Sequence, residues 1–123
     1  MDAYDPEKPS SADWLQRDEG ERIELVSSYH RRKKIRLPNA QLHAVIHVVV
    51  ENQLALRQRV VVETLARLQT EGLSRHEGLH AIGSVLAADL YELMQEGSET
   101  TGDAYSRYLD QLQELTATKW RAG

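Results

Sequence analysis

The strongest constraint on the fold is a helix signal that spans residues 74–96. Ser74 and Glu77 form a capping-box pattern, in which each side chain accepts the backbone N–H of the other residue. Aliphatic residues at helical spacing follow, and they are Leu79, Ile82, Leu86, Leu90 and Leu93. Gly97 ends the segment. Because a helix of this length must cover its apolar stripe with other elements, the pattern predicts a helical protein.

Four further segments predict helices, at residues 12–30, 40–57, 60–69 and 103–118. The fold class is therefore all-α, a compact bundle of about five helices. The centre of the second segment, Val45–Val50, is β-branched and favours a buried strand. The length of that segment without Gly or Pro, and its flank of good helix formers, favour a helix instead. A helix that is apolar nearly all round can be buried by its own chain or by a second copy in a homo-oligomer.

The chain has 123 residues and no cysteine, which fits one domain without disulfides or thiol chemistry. Residues 1–11 are polar and contain Pro6 and Pro9, so we predict a disordered or loosely attached tail there and a single helical domain over residues 12–120. The chain start does not have the pattern of a signal peptide, and the apolar runs are shorter than the roughly 20 residues that span a bilayer. We therefore expect a cytoplasmic protein without membrane association.

Charge is distributed unevenly. The formal net charge is −4, yet one short run is basic and contains Arg31, Arg32, Lys33, Lys34 and Arg36. The acidic remainder argues against general nucleic-acid binding. The run follows a predicted helix, where positive charge stabilises the carboxyl end, so a solvated helix terminus is the preferred interpretation. The alternative is a surface at Arg31–Arg36 that binds an acidic protein partner.

Histidines and carboxylates recur at helical spacing in two places. His43, His47 and Glu51 follow each other at intervals of four residues and share one face of a helix, and the even spacing would keep them on one face of a strand as well. His76 and His80 lie one helical turn apart in a His-Glu-x-x-His pattern. The candidate metal ligands are His43, His47, Glu51, His76 and His80. Imidazole and carboxylate without thiolate are the ligands of zinc or of non-haem iron or manganese, so we predict one such divalent ion.

Two alternatives stay open. In a metal-free interaction module, the same side chains would form a buried hydrogen-bond network between their helices. In a hydrolase, Glu77 would act as the catalytic general base on a metal-bound water, but the capping box competes for that carboxylate. Beyond the ligand set, the sequence indicates neither hydrolase nor oxidoreductase activity.

Two sequence blocks carry a family resemblance. His-x₃-His-x₃-Glu-Asn-Gln-Leu begins at His43, and Arg-His-Glu-Gly-Leu-His-Ala-Ile-Gly begins at Arg75. Together they resemble a family of small bacterial proteins described only as a domain of unknown function, over roughly residues 42–93. The resemblance implies a helical fold and a shared polar set that includes Glu77, and it implies no activity.

A weaker resemblance is to hemerythrin-like di-iron bundles, which use His-x₃-Glu and His-x₃-His on antiparallel helices. The pairs here are His47 with Glu51 and His76 with His80. Those bundles draw further ligands from two more helices, and the first and last predicted helices of this chain offer no evident ones. The resemblance therefore implies a site for one ion more readily than for two.

Overall fold

The computed structural model describes residues 4–32, 40–96 and 101–122. Within these ranges the chain forms seven helices and no strand, so the predicted all-α class is confirmed. The helices are α1 Ser11–Gln16, α2 Glu19–Arg32, α3 Ala40–Ala55, α4 Arg59–Thr70, α5 Arg75–Glu96, α6 Thr101–Glu114 and α7 Ala117–Ala122.

The count exceeds the prediction because two predicted helices are each divided by a local cap. The first divides at Arg17, whose backbone is extended, and Asp18 then caps α2 by accepting the N–H of Glu21 at 2.8 Å. The last divides before α7, where the Thr116 hydroxyl accepts the N–H of Lys119 at 3.1 Å. Asp and Thr compete for backbone donors in this way, which ends one helix and begins the next.

The ambiguous segment Val45–Val50 is helical and lies within α3. Val48 packs in a small core with Trp14 and Val26, whereas Val50 packs in the main core that α4 to α7 share, and both valines are fully buried. The chain's own helices therefore cover α3 on both sides. This burial explains why β-branched residues occur all round it, since packing overrides their weak local preference for strands.

Close packing against two glycines fixes the position of α5. A Cβ atom at Gly78 would lie 2.5 Å from Cδ1 of Leu65 on α4, and one at Gly83 would lie 3.1 Å from Cγ2 of Ile46 on α3. Because these positions carry no side chain, the backbone of α5 can approach both neighbouring helices. The predicted aliphatic stripe of α5 is buried through Leu86, but Leu90 is 41% exposed.

The segment that precedes α1, predicted to be loosely attached, contacts the bundle in residues 4–10. Tyr4 and Pro6 are buried, and the Tyr4 ring lies 5.4 Å from the Trp14 ring and 6.0 Å from the Tyr29 ring, measured between centroids. Aromatic rings in this arrangement contribute to packing beyond the area they bury. None of the described helices is both long and apolar enough to cross a membrane.

Candidate metal centre

Four histidines from three helices converge at one point in the bundle. His30 is on α2, His47 is on α3, and His76 and His80 are on α5. Each offers one ring nitrogen, and these four atoms all lie within 4.8 Å of one another. The ring centroids of every pair lie between 4.3 and 5.7 Å apart. His47 and His30 are buried, and the other two rings are half-buried.

The start of α5 positions His76 and His80. The predicted capping box is present: the Ser74 hydroxyl accepts the N–H of Glu77 at 3.1 Å, and the Glu77 carboxylate accepts the N–H of Ser74 at 2.9 Å. The Glu7 carboxylate accepts two more N–H groups of the same turn, those of Arg75 at 3.1 Å and His76 at 3.0 Å. The first turn of α5 is therefore stabilised by its own capping box and by a carboxylate from the segment before α1.

His30 is the member of the cluster that sequence reasoning missed. Its Nδ1–H donates to the carbonyl of Val26 at 2.9 Å, one turn earlier on α2, which leaves the lone pair on Nε2. A signal was present in the sequence, because His30 follows Ile23 by seven residues and Val26 by four. That spacing places it on the apolar side of the helix, although it also adjoins the basic run.

A hydrogen-bonded chain supports His47. The Tyr4 hydroxyl donates to Glu51, and because it can donate only once, it accepts from Nε2–H of His47 at 2.7 Å. Arg75 donates to both oxygens of Glu51, at 2.8 and 2.9 Å. Burial and the Glu51 charge raise the pKa of the Tyr4 hydroxyl, which keeps its proton in place. This chain of contacts leaves Nδ1 of His47 as the free lone pair.

Three buried ring nitrogens of the cluster have no hydrogen-bond partner among the described residues. They are Nε2 of His30, Nδ1 of His47 and Nε2 of His76. A buried polar atom without a partner costs roughly 1–3 kcal/mol, so such atoms are rare in folded proteins. A metal ion or further hydrogen bonds could satisfy three such atoms within one cluster.

Burial favours the neutral form of these rings. Desolvation, together with the neighbouring histidines, lowers the pKa of His47 well below its usual value and lowers the pKa of His80 to about 4. Desolvation is also the main cause that lowers the pKa of His30 and of His76. Neutral imidazole is the form that binds metals, because protonation would occupy the lone pair.

The other candidate residues lie outside the cluster. His43 is exposed, and its ring centroid lies 6.4 Å from that of His80. Glu51 is buried but contacts Tyr4 and Arg75. Glu77 is exposed and engaged in the capping box, and this hydrogen bond lowers its pKa. Of the five predicted ligands, the structure thus brings together His47, His76 and His80.

The basic run is only partly within the described residues. Arg31 donates to Glu24 at 2.8 Å, and both side chains are exposed. Residues 33–39 lie outside the described ranges, so the interface predicted at Arg31–Arg36 stays a prediction.

The stability of the metal-free protein should decrease as the pH falls below about 6.5. Below that pH the histidines of the unfolded chain bind protons, whereas the buried histidines of the folded chain stay neutral, so the free energy of the unfolded chain falls relative to that of the folded chain. His47 alone contributes a slope of up to about 1.4 kcal/mol per pH unit. Urea unfolding between pH 7.5 and pH 5 measures the effect. This range lies above the pH at which protonation of carboxylates dominates the change in stability. In a His47→Gln, His80→Gln variant, the free energy of unfolding should depend less steeply on pH. A urea midpoint of the native chain that does not change with pH would contradict the expectation.

Comparison of this chain with protein-family models, curated proteins and solved structures gives no significant match.

Proposed function

We propose that the protein binds one divalent transition-metal ion, with zinc as the first candidate, through His30, His47, His76 and His80. The observation that carries the proposal is that four histidines each bring one ring nitrogen within 4.8 Å of the others, and that three of them have a buried ring nitrogen without a hydrogen-bond partner among the described residues. A metal ion accepts their lone pairs and so offsets the cost of burying them.

The distances suit such an ion after a small adjustment. Zinc binds imidazole nitrogen at about 2.0–2.1 Å, which in a tetrahedron places the nitrogens roughly 3.4 Å from each other. The four nitrogens lie within 4.8 Å of one another, so the rings need to move inward by at most about an ångström.

The donor set narrows the choice of metal. Four imidazoles suit zinc, iron, copper or nickel, whereas manganese favours oxygen ligands that the cluster does not offer. The carbonyl of Val26 and the Tyr4 hydroxyl fix the ring orientation of His30 and His47, as outer-shell partners do in many metal sites.

The metal-free interaction module is the alternative. In that module, the histidines would have to be hydrogen-bonded to each other or to neighbouring residues. The ring nitrogens without a hydrogen-bond partner among the described residues therefore favour a metal site. A hydrolase would need Glu77 as a general base near the ion, and its place in the capping box does not support that role.

The test is the metal content of protein purified without an affinity tag or chelator, measured by elemental mass spectrometry. We expect about one equivalent per chain, and a melting temperature that rises when zinc is added to stripped protein. The His47→Ala, His80→Ala variant should contain no metal and should not respond to zinc. Native protein that is free of metal and insensitive to zinc, iron(II), copper(II) and nickel(II) would refute the proposal.

A further inference from the structure

A cavity of about 130 Å³ lies between α3 and α5, beside the histidine cluster. His47 and His80 belong both to its lining and to the cluster. The remaining lining is mainly apolar and includes Leu42, Ile46 and Ala87, with His43 and Ser84 as its polar members. An apolar cavity with a few converging polar groups is the usual form of a small-molecule site.

The side chains of α5 leave this space open. Gly83 is in contact range of Ile46, so the two helices meet at that level. Gly83, Ser84 and Ala87 are small, and they line the cavity along one side of α5. Leu42 lines it from α3 and is 49% exposed, so the cavity reaches the surface. A molecule can therefore enter from solvent and reach the half-buried ring of His80.

We propose that this cavity binds a small, mainly apolar molecule whose single nitrogen or oxygen donor coordinates the metal held by the cluster. The inference rests on the proposed function, because the metal provides the polar contact. An engineered cavity of about 150 Å³ in another protein holds benzene, so a ligand of about six non-hydrogen atoms fits the volume here. Reactive zinc sites use three protein ligands and leave one position open, so the donor atom requires either that one of the four histidines does not bind the ion or that the shell expands to five ligands.

Pyridine and benzene are a matched pair of probes, since they have the same shape and differ in one ring nitrogen. Both would be titrated into zinc-loaded and metal-free protein and followed by NMR, after the zinc content has been measured. We expect pyridine to bind the zinc-loaded protein at least about tenfold more tightly than benzene does, and at least about tenfold more tightly than it binds the metal-free protein.

Ala87→Leu fills the cavity from α5 without replacing a histidine. It should weaken pyridine binding by at least about tenfold while the zinc content stays unchanged. Ala88→Leu is the matched control, because Ala88 is exposed on the same helix and does not line the cavity. Ala87→Val makes a smaller addition and replaces the leucine variant if that variant does not fold.

The outcomes separate the two proposals. The cavity inference is wrong if zinc-loaded protein does not bind pyridine, or if the Ala87 variants bind pyridine as tightly as the native protein does. Neither result contradicts the proposed metal site. Protein that binds no metal overturns both.

Discussion

Replacing His30 with alanine is expected to abolish binding of the metal ion that we propose, whereas replacing His43 with alanine is expected to preserve it. One ring nitrogen of His30 belongs to the converging set, and its Nδ1–H donates to the Val26 carbonyl. His43 is exposed and outside that set. Because even outer-shell substitutions cost about 10–100-fold in metal affinity, loss of the His30 ligand should exceed about 100-fold.

The measurement is a competition titration of zinc against a chelator of known affinity. The His43→Ala variant is the matched control, since it also removes a histidine close to the cluster. Circular dichroism of both metal-free variants shows whether the helices are intact. The opposite ranking, with metal lost from the His43 variant and retained in the His30 variant, would place the ion on the sequence-predicted ligands instead.

The elements and residues that local rules govern could be predicted from the sequence. The capping box and the aliphatic spacing located α5, and the four-residue interval placed His76 and His80 on one face of it. Both rules depend on contacts within one or two helical turns. His47 was found by the same spacing rule, since it lies four residues from both His43 and Glu51, and it is buried in the structure.

The remaining site residues depend on contacts between distant segments, which spacing does not encode. His30 joins the cluster because α2 packs on α3, and Tyr4 reaches His47 and Glu51 across more than forty residues of sequence. Glu51 was predicted as a ligand because it shares a helix face with His47. In the structure its partner is Arg75. From the sequence alone, Arg75 could equally have been a solvent-exposed residue at the start of a helix. The breaks before α2 and α7 were missed because Asp and Thr also occur inside helices, so a single Asp18 or Thr116 does not mark a break by itself.

Replacing Arg75 with leucine is expected to destabilise the protein by about 3–5 kcal/mol. Glu51 is 3% exposed, and Arg75 pairs with both of its oxygens. Without the guanidinium, the Tyr4 hydroxyl is the one remaining partner of the carboxylate among the described residues, and the carboxylate stays buried. Arg59→Leu is the matched control, because Arg59 pairs with Glu63 at the same distance of 2.8 Å but the two side chains are 73% and 58% exposed. That solvent-screened pair should contribute less than about 1 kcal/mol.

Urea unfolding of the metal-free variants separates charge burial from lost packing. Adding Glu51→Gln to Arg75→Leu removes the unpaired charge, so the double variant should be more stable than Arg75→Leu alone. The loss of unfolding free energy in the double variant, minus the sum of the losses in the two single variants, gives the coupling energy between the two side chains. If Arg75→Leu costs no more than Arg59→Leu, the Glu51 carboxylate is not held by Arg75 in solution. Its link through Tyr4 to His47 would then be free to rearrange, and Glu51 would become available to the metal as the sequence first suggested.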